Sequence, residues 1–252
     1  MEIELNEIGF KICNDRINGI YTSTNDKIIK LLSLDDQNTK INKKILSKQE
    51  IYDYKNNIFI VDEYFEYSNY KTVYDLLLSI IKDYNLYPKN INKKIIDAIK
   101  IVGLKEDIIN QGLNEISTSE KKLLMIAIAL LINTNTIVLI EPFKILDISN
   151  QKRIIILFQK LIDKYKKKII IVSDNIDILL KYTKYLVIIK NNKAIIEGDT
   201  FEIMKNVELL KKHHIEVPEI IEITYLAKKK KNVRIDYFKD IRDIIKDIYK
   251  HV

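Results

Sequence analysis

Ser117 and Glu120, three residues apart and followed by an unbroken apolar run from Leu123 to Ile132, constrain the fold of this chain more than any other stretch. A serine whose hydroxyl accepts the third helical N–H, and a glutamate that reaches back to the serine's own N–H, form a capping box. The spacing therefore predicts a helix starting near Thr118. A polar turn, Asn133 to Thr136, then leads into Ile137 to Ile140 and on to Glu141-Pro142. Four consecutive β-branched or leucine residues leave no polar face, which suits a central parallel strand covered on both sides. Helix, buried strand and a carboxylate at the strand's end thus occupy one contiguous segment, Ile116 to Asp147.

The chain is 252 residues long and 47% hydrophobic, enough for one α/β domain with a small appendage. Its longest apolar run is far shorter than the roughly 20 residues a membrane-spanning helix needs, and its first residues lack the pattern of a signal peptide, so a soluble chain is expected. A single cysteine, Cys13, excludes an internal disulfide framework and agrees with a reducing cytosol. The net charge of +7 comes from 42 basic residues spread among 35 acidic ones. Lysine runs occur at Lys166 to Lys168 and Lys228 to Lys231, where they read as solvated element ends, so a nucleic-acid partner is not expected. His213, His214 and His251 lack metal-ligand spacing, and no metal site is assigned.

Alternation predicts one strand over Met1 to Ile12 and a second over Ile17 to Tyr21. After the loop Thr22 to Asp26, helical spacing runs over Lys27 to Leu34, capped by Asn25 or Asp26. Asp35 to Lys55 reads as short strands and loops, and Asn57 to Val61 as a buried strand. An aromatic patch, Tyr64, Phe65, Tyr67, Tyr70 and Tyr74, precedes helical periodicity from Thr72 to Asp107, in which Gly103 suits a helix C-cap. Further on come a helix capped by Ser149, a strand over Lys168 to Ser173, and a short helix over Asp177 to Lys184. A hairpin over Tyr185 to Glu197 turns at Asn191-Asn192. Helices over Val207 to His214 and Pro218 to Lys231 follow, and Ile241, Ile244, Ile245 and Ile248 place an apolar stripe on a closing helix.

The order of these landmarks resembles that of ABC-type ATPases. Ile116 to Glu120 stand where the LSGGQ signature would be, Val138 to Pro142 at the Walker B end, and Leu146-Asp147 at the D-loop. Gly198 to Ile203 resemble the close of an ABC core, while MEIELNEIGFKI and HHIEVPEIIEITYLAKKK resemble the opening strand and C-terminal segment of the ATP-binding subunits of energy-coupling factor (ECF) transporters. The resemblance implies an α/β, P-loop NTPase-like layered parallel sheet with a helical subdomain and a small C-terminal helical extension. It divides the chain into an ABC ATPase-like domain over 1–205, with its helical subdomain at about 70–118, and an extension over 206–252.

The resemblance also assigns roles. Lys27 is the P-loop lysine, Glu141 the catalytic base, and Ser117, Thr118, Ser119, Glu120, Asp147 and Asp62 are nucleotide-site positions. Several letters depart from the pattern. No glycine lies between Gly19 and Lys27, although glycines let a phosphate loop's backbone approach its ligand. Asp26 adds a carboxylate which, about 4 Å from a phosphate charge, costs on the order of 4 kcal/mol at an effective dielectric of about 20. Ile28 replaces the Mg²⁺-binding Ser/Thr, Ile140 the Walker B aspartate, Asp174 the switch histidine, Asp62 the Q-loop glutamine and Ile12 the adenine-stacking aromatic.

These substitutions lead to the expectation of a degenerate ATP-binding subunit with impaired catalysis. It would pair with a second ABC ATPase subunit, as homo- or heterodimer, and dock on a transmembrane partner from the cytoplasmic side. ATP and Mg²⁺ would be bound mainly through the partner subunit. Two alternatives stay open: an active atypical ATPase using Lys27 and Glu141, and a non-enzymatic interaction or nucleic-acid-binding module.

Overall fold

The computed structural model describes residues 2–5, 8–23, 25–33, 40–62, 70–84, 86, 89–231 and 235–250. Along the first part of the chain the elements are β1 (Glu2–Leu5), β2 (Ile8–Lys11), β3 (Ile17–Tyr21), α1 (Asn25–Leu32), β4 (Lys40–Ile41), β5 (Lys44–Ile45), α2 (Lys48–Asn56), β6 (Ile58–Val61), α3 (Val73–Asp83), α4 (Ile91–Val102) and α5 (Thr118–Ile132). They continue with β7 (Thr136–Ile140), α6 (Ile148–Tyr165), β8 (Lys168–Ser173), α7 (Ile176–Tyr182), β9 (Tyr185–Lys190), β10 (Lys193–Asp199), α8 (Thr200–Lys205), α9 (Val207–Lys212), α10 (Glu219–Lys231) and α11 (Ile241–Lys250).

A six-stranded sheet in the order β10-β9-β3-β8-β7-β6 organises the molecule. Its strands run parallel except β10, which returns antiparallel to β9 as the hairpin at Asn191-Asn192 predicts. Both turn residues have positive φ, a conformation asparagine tolerates. Because strand side chains alternate, the same strands feed two separate cores. Ile137, Leu139, Ile169, Ile171, Leu186 and Ile188 enter one, with α3 to α7. Val138, Ile140, Ile170, Val172, Val187 and Ile189 enter the other, with Phe10, Ile12 and α1. The apolar runs read as central strands are thus covered on both faces.

Helix α5 crosses the larger core and is buried almost all round, from Lys122 to Ala129. The capping box is present as the spacing predicts: Ser117 Oγ accepts from the Glu120 amide at 3.2 Å, and Glu120 Oε2 accepts from the Ser117 amide at 2.8 Å. Helix α4 closes on Gly103 at φ 90°, a left-handed position, and a Cβ there would sit 1.5 Å from the Arg153 guanidinium. The Arg153 side chain of α6 thus lies across the end of α4.

Three expectations need correction. Met1 to Ile12 is not one strand, because β1 and β2 pair antiparallel and begin a second sheet, β2-β1-β4-β5. The stretch that reads as strands and loops up to Lys55 contains α2, started by a capping box of Ser47 and Glu50 that the surrounding lysines mask in the sequence. Helix α6 is capped by Asp147 rather than Ser149, since the Asp147 carboxylate accepts the Ser149 and Asn150 amides at 2.8 and 2.9 Å. The apolar stripe on the closing helix is present on α11, where Ile244 is 3% exposed and Ile241, Ile245 and Ile248 are 49%, 45% and 39% exposed. Of the aromatic patch, Tyr64, Phe65 and Tyr67 lie outside the described residues. Tyr70 and Tyr74 pack half-buried on the larger core, their hydroxyls bonded to Ser79 and Asn92.

Candidate functional site

Strands β3, β8, β7 and β6 end at one edge of the sheet. Just past them stand Thr22, Asp174, Glu141 and Asp62. An edge of this kind, outside the carboxyl ends of parallel strands, is where α/β sheets place ligands.

Glu141 is the most constrained residue of this edge. Its φ of 44° lies in the left-handed region, which costs a residue with a side chain roughly 1–2 kcal/mol, and its side chain is buried. The surroundings hold it there. The Glu141 amide donates to the Val172 carbonyl at 2.9 Å. Of its carboxylate oxygens, Oε2 accepts from Ser173 Oγ at 2.8 Å and Oε1 from the Asp174 amide at 2.7 Å. The Ser173 hydroxyl also accepts from the Asn175 amide at 3.0 Å. One peptide earlier, the buried ammonium of Lys122 donates to the Ile140 carbonyl at 2.8 Å.

The segment after Glu141 is held from behind. Gln151 Nε2 donates to the carbonyls of Phe143 and Leu146 at 3.2 and 2.9 Å, and Tyr182 donates to Gln151 Oε1 at 2.7 Å. The other expected site residues are engaged at their own helix starts. Asp147 caps α6, and its carboxyl is held below the usual range, chiefly by the Asn150 amide. Ser117 donates its hydroxyl to Glu120 Oε2 at 2.7 Å, and this bond is the main reason the Glu120 carboxyl lies below its usual value. Thr118 is exposed, while Ser119 and Glu120 border a cavity of about 310 Å³ shared with Lys105, Asp107 and Asn150. Lys27 falls in the first turn of α1, and its side chain lies outside the described residues.

A set of groups able to hold Mg²⁺ is missing at the positions where the resemblance places it. Ile28 and Ile140 are fully buried in the same apolar cluster, together with Ile12. Carbon side chains supply no oxygen ligands, so these positions do not fit the ion. Among the described residues, no group of three or more His, Cys, Asp and Glu is placed to hold a metal.

No family model matches the chain. Among curated proteins, the chain is 36% identical over 153 residues to the energy-coupling factor transporter ATP-binding protein EcfA2 of Mycoplasma capricolum subsp. capricolum, an alignment covering 60% of this chain and 52% of that protein. It is 26% identical over 235 residues to the EcfA2 of Clostridium acetobutylicum, covering 90% and 76%. The chain is a homologue of the ECF ATP-binding subunits. Its alignments to the Mycoplasma capricolum and Mesoplasma florum proteins span about half of those relatives' length.

Solved structures give the homologue the fold of the ABC ATPase cassettes. An ATP-binding cassette in a dimeric post-hydrolysis state with ADP and Pi superposes with a TM-score of 0.65 at 18% identity, over 77% of this chain and 89% of that one. Clostridium perfringens cbiO1, part of the ABC transporter complex cbiONQ, gives 0.66 at 20% identity, over 86% and 90%.

The sequence reading missed Lys122, Ser173 and the pair Gln151 and Tyr182. Lys122 follows Lys121 directly after a cap, which reads as a solvated first turn. Its burial follows from α5 lying in the core, which the apolar residues after it do signal. Ser173 stood only as the end of a strand, and nothing local marks it as the partner of a residue 32 positions earlier.

Proposed function

We propose that this chain is a degenerate ATP-binding subunit of an ECF-type ABC importer. It pairs with an intact ATPase subunit, docks on a transmembrane partner from the cytoplasmic side, and hydrolyses little or no ATP itself. Residues 1–205 form the cassette, with a helical subdomain at about 70–118, and 206–252 the extension. The observation that carries this reading is the state of Glu141. A general base must be aimed at the attacking water. Here the carboxylate is turned toward the end of β8, with Oε2 accepting from the Ser173 hydroxyl and Oε1 from the Asp174 amide. In that orientation it holds the end of β8 in place, and the apolar Ile28 and Ile140 supply no ligand for a metal.

The signature end supports a role toward a partner. The N-terminus of α5 offers backbone N–H groups and the Ser117 hydroxyl, which suit an anion such as the partner's bound γ-phosphate. Glu120 opposes this, since its charged carboxylate occupies the Ser117 hydroxyl and sits one turn into the helix. Nucleotide affinity at such a shared site is accordingly weak. Glu120→Gln, which keeps the acceptor and removes the charge, strengthens it.

The deciding experiment is binding of labelled ATP with Mg²⁺ to the purified chain, alone and mixed with an intact ECF ATPase subunit from the same cell. Binding only in the mixture is the expected result. Micromolar binding and turnover by the isolated chain would overturn it in favour of an atypical ATPase that uses Lys27 and Glu141. A second check is Glu141→Gln in this chain alone, which should alter transport by the reconstituted complex less than tenfold, or about 1.4 kcal/mol of barrier.

A further inference from the structure

A buried ammonium on the signature helix holds the peptide bond that precedes the family's catalytic position. Lys122 leaves α5 five residues after its cap, is 7% exposed, and donates to the Ile140 carbonyl at 2.8 Å across 18 residues of sequence. The amide on the other side of that peptide bond, Glu141 N–H, donates to the Val172 carbonyl at 2.9 Å. The peptide plane is therefore held at both ends, immediately before the left-handed φ of Glu141. From Glu141 the path continues through its carboxylate to Ser173 and the Asp174 amide. Beginning at Ser117 and ending at Asp174, each link is a covalent helix, a buried or partly buried hydrogen bond, or a strand end.

A lysine is chemically suited to this task. An apolar residue on α5 would pack against β7 but leave the Ile140 carbonyl without this donor, and a buried carbonyl lacking a donor relaxes by rotating its peptide. Rotation of that peptide moves Glu141 out of the left-handed region and takes its carboxylate away from the Asp174 amide. The bond from Lys122 thus joins two sites that a cassette dimer keeps separate. The signature end of α5 faces the partner's nucleotide, whereas Glu141 and Asp174 belong to this chain's own edge.

We propose that Lys122 is a positioning residue which couples movement of the signature helix to Glu141 and, through it, to the Ser173-Asp174 segment. The coupling between sites rests on the paired-subunit reading, while the tie within the chain does not, and two experimental arms separate them. In the first, hydrogen exchange is followed by NMR at single amides of the isolated full chain. Lys122→Met should speed exchange of the Glu141 and Asp174 amides by about tenfold or more, with Ile126 to Ile128 in the same helix unchanged, and Lys122→Arg should restore protection. Where the methionine variant does not fold, Lys122→Gln, polar but too short to span the gap, gives the same readout. Unchanged Asp174 exchange in a folded variant overturns the tie.

The second arm adds ATP with Mg²⁺ to the chain assembled with an intact ATPase subunit. ATP should shift Asp174 exchange in the wild-type pair and leave it unshifted in the Lys122→Met pair. An equal shift in both overturns the coupling. A pair that binds no ATP refutes the proposed function, and the tie from the first arm then stands on its own.

Discussion

Ser173 donates its hydroxyl to a carboxylate oxygen of Glu141, joining the ends of two neighbouring parallel strands through a buried bond of 2.8 Å. Removing that hydroxyl leaves a buried carboxylate oxygen short of a donor, which costs about 1–3 kcal/mol. Ser173→Ala should therefore lower the urea midpoint with an unchanged m-value. A loss below about 0.5 kcal/mol would mean that water or another group replaces the hydroxyl.

Gly103→Ala tests what the left-handed stop of α4 requires of its residue. Alanine must adopt φ near 90° and displace the Arg153 guanidinium. The backbone strain alone costs roughly 1–2 kcal/mol, while the flexible arginine can swing aside at little expense. Double-mutant analysis with Arg153→Ala separates the two contributions. If strain dominates, Gly103→Ala remains destabilising when the arginine has been removed.

Asp177 gives the chain a pH dependence. Burial pushes its carboxyl above the ordinary 3.8, and the charges of Glu219 and Glu216 add to this, while the Glu219 amide it accepts at 3.1 Å opposes them. A raised pKa means that the native state holds this proton to higher pH than the unfolded chain does. The resulting stability is present below the unfolded value and is lost as pH rises through the folded one. Asp177→Asn keeps the acceptor for α10 and removes the charge. It should raise the melting temperature at about pH 7 more than at about pH 4. An equal effect at both would assign the change to packing.

Helix α11 offers a contrast between adjacent residues. Ile244 is 3% exposed, and placing aspartate there buries a charge or its proton, which should cost several kcal/mol and show in the thermal melt. Ile245 is 45% exposed, so Ile245→Asp should leave the isolated chain within about 0.5 kcal/mol of wild type. Its expected effect is on assembly, measured as a weaker association constant in sedimentation. A melt lowered as much as that of the Ile244 variant would place Ile245 in the core instead.

Sequence alone carried the elements whose signals are local. The box of Ser117 and Glu120, the runs Ile137 to Ile140 and Lys168 to Ser173, and the glycine stop at Gly103 each appear where spacing and residue type place them. What failed was either hidden by composition, as with α2 among its lysines, or decided by distant partners. Asp147 and Ser149 both qualify as caps by type, and only the chain's path into α6 selects the aspartate. At the candidate site, the sequence named Glu141 but could not show what its carboxylate binds, because both donors come from β8 and the residue after it. The apolar side chains at Ile28 and Ile140 were visible as letters. That they share one cluster was not, since that depends on which face of the sheet each strand turns toward α1.

The common burial of Ile28 and Ile140 limits what single substitutions can do at this edge. A carboxylate placed at Ile140 alone would put a charge among Val138, Ile170 and Val172, and a hydroxyl at Ile28 would meet the same apolar surroundings on a smaller scale. Each such substitution registers first as a folding defect. Selection that acts one substitution at a time therefore meets a barrier here, and ion chemistry at this edge is open only to joint changes.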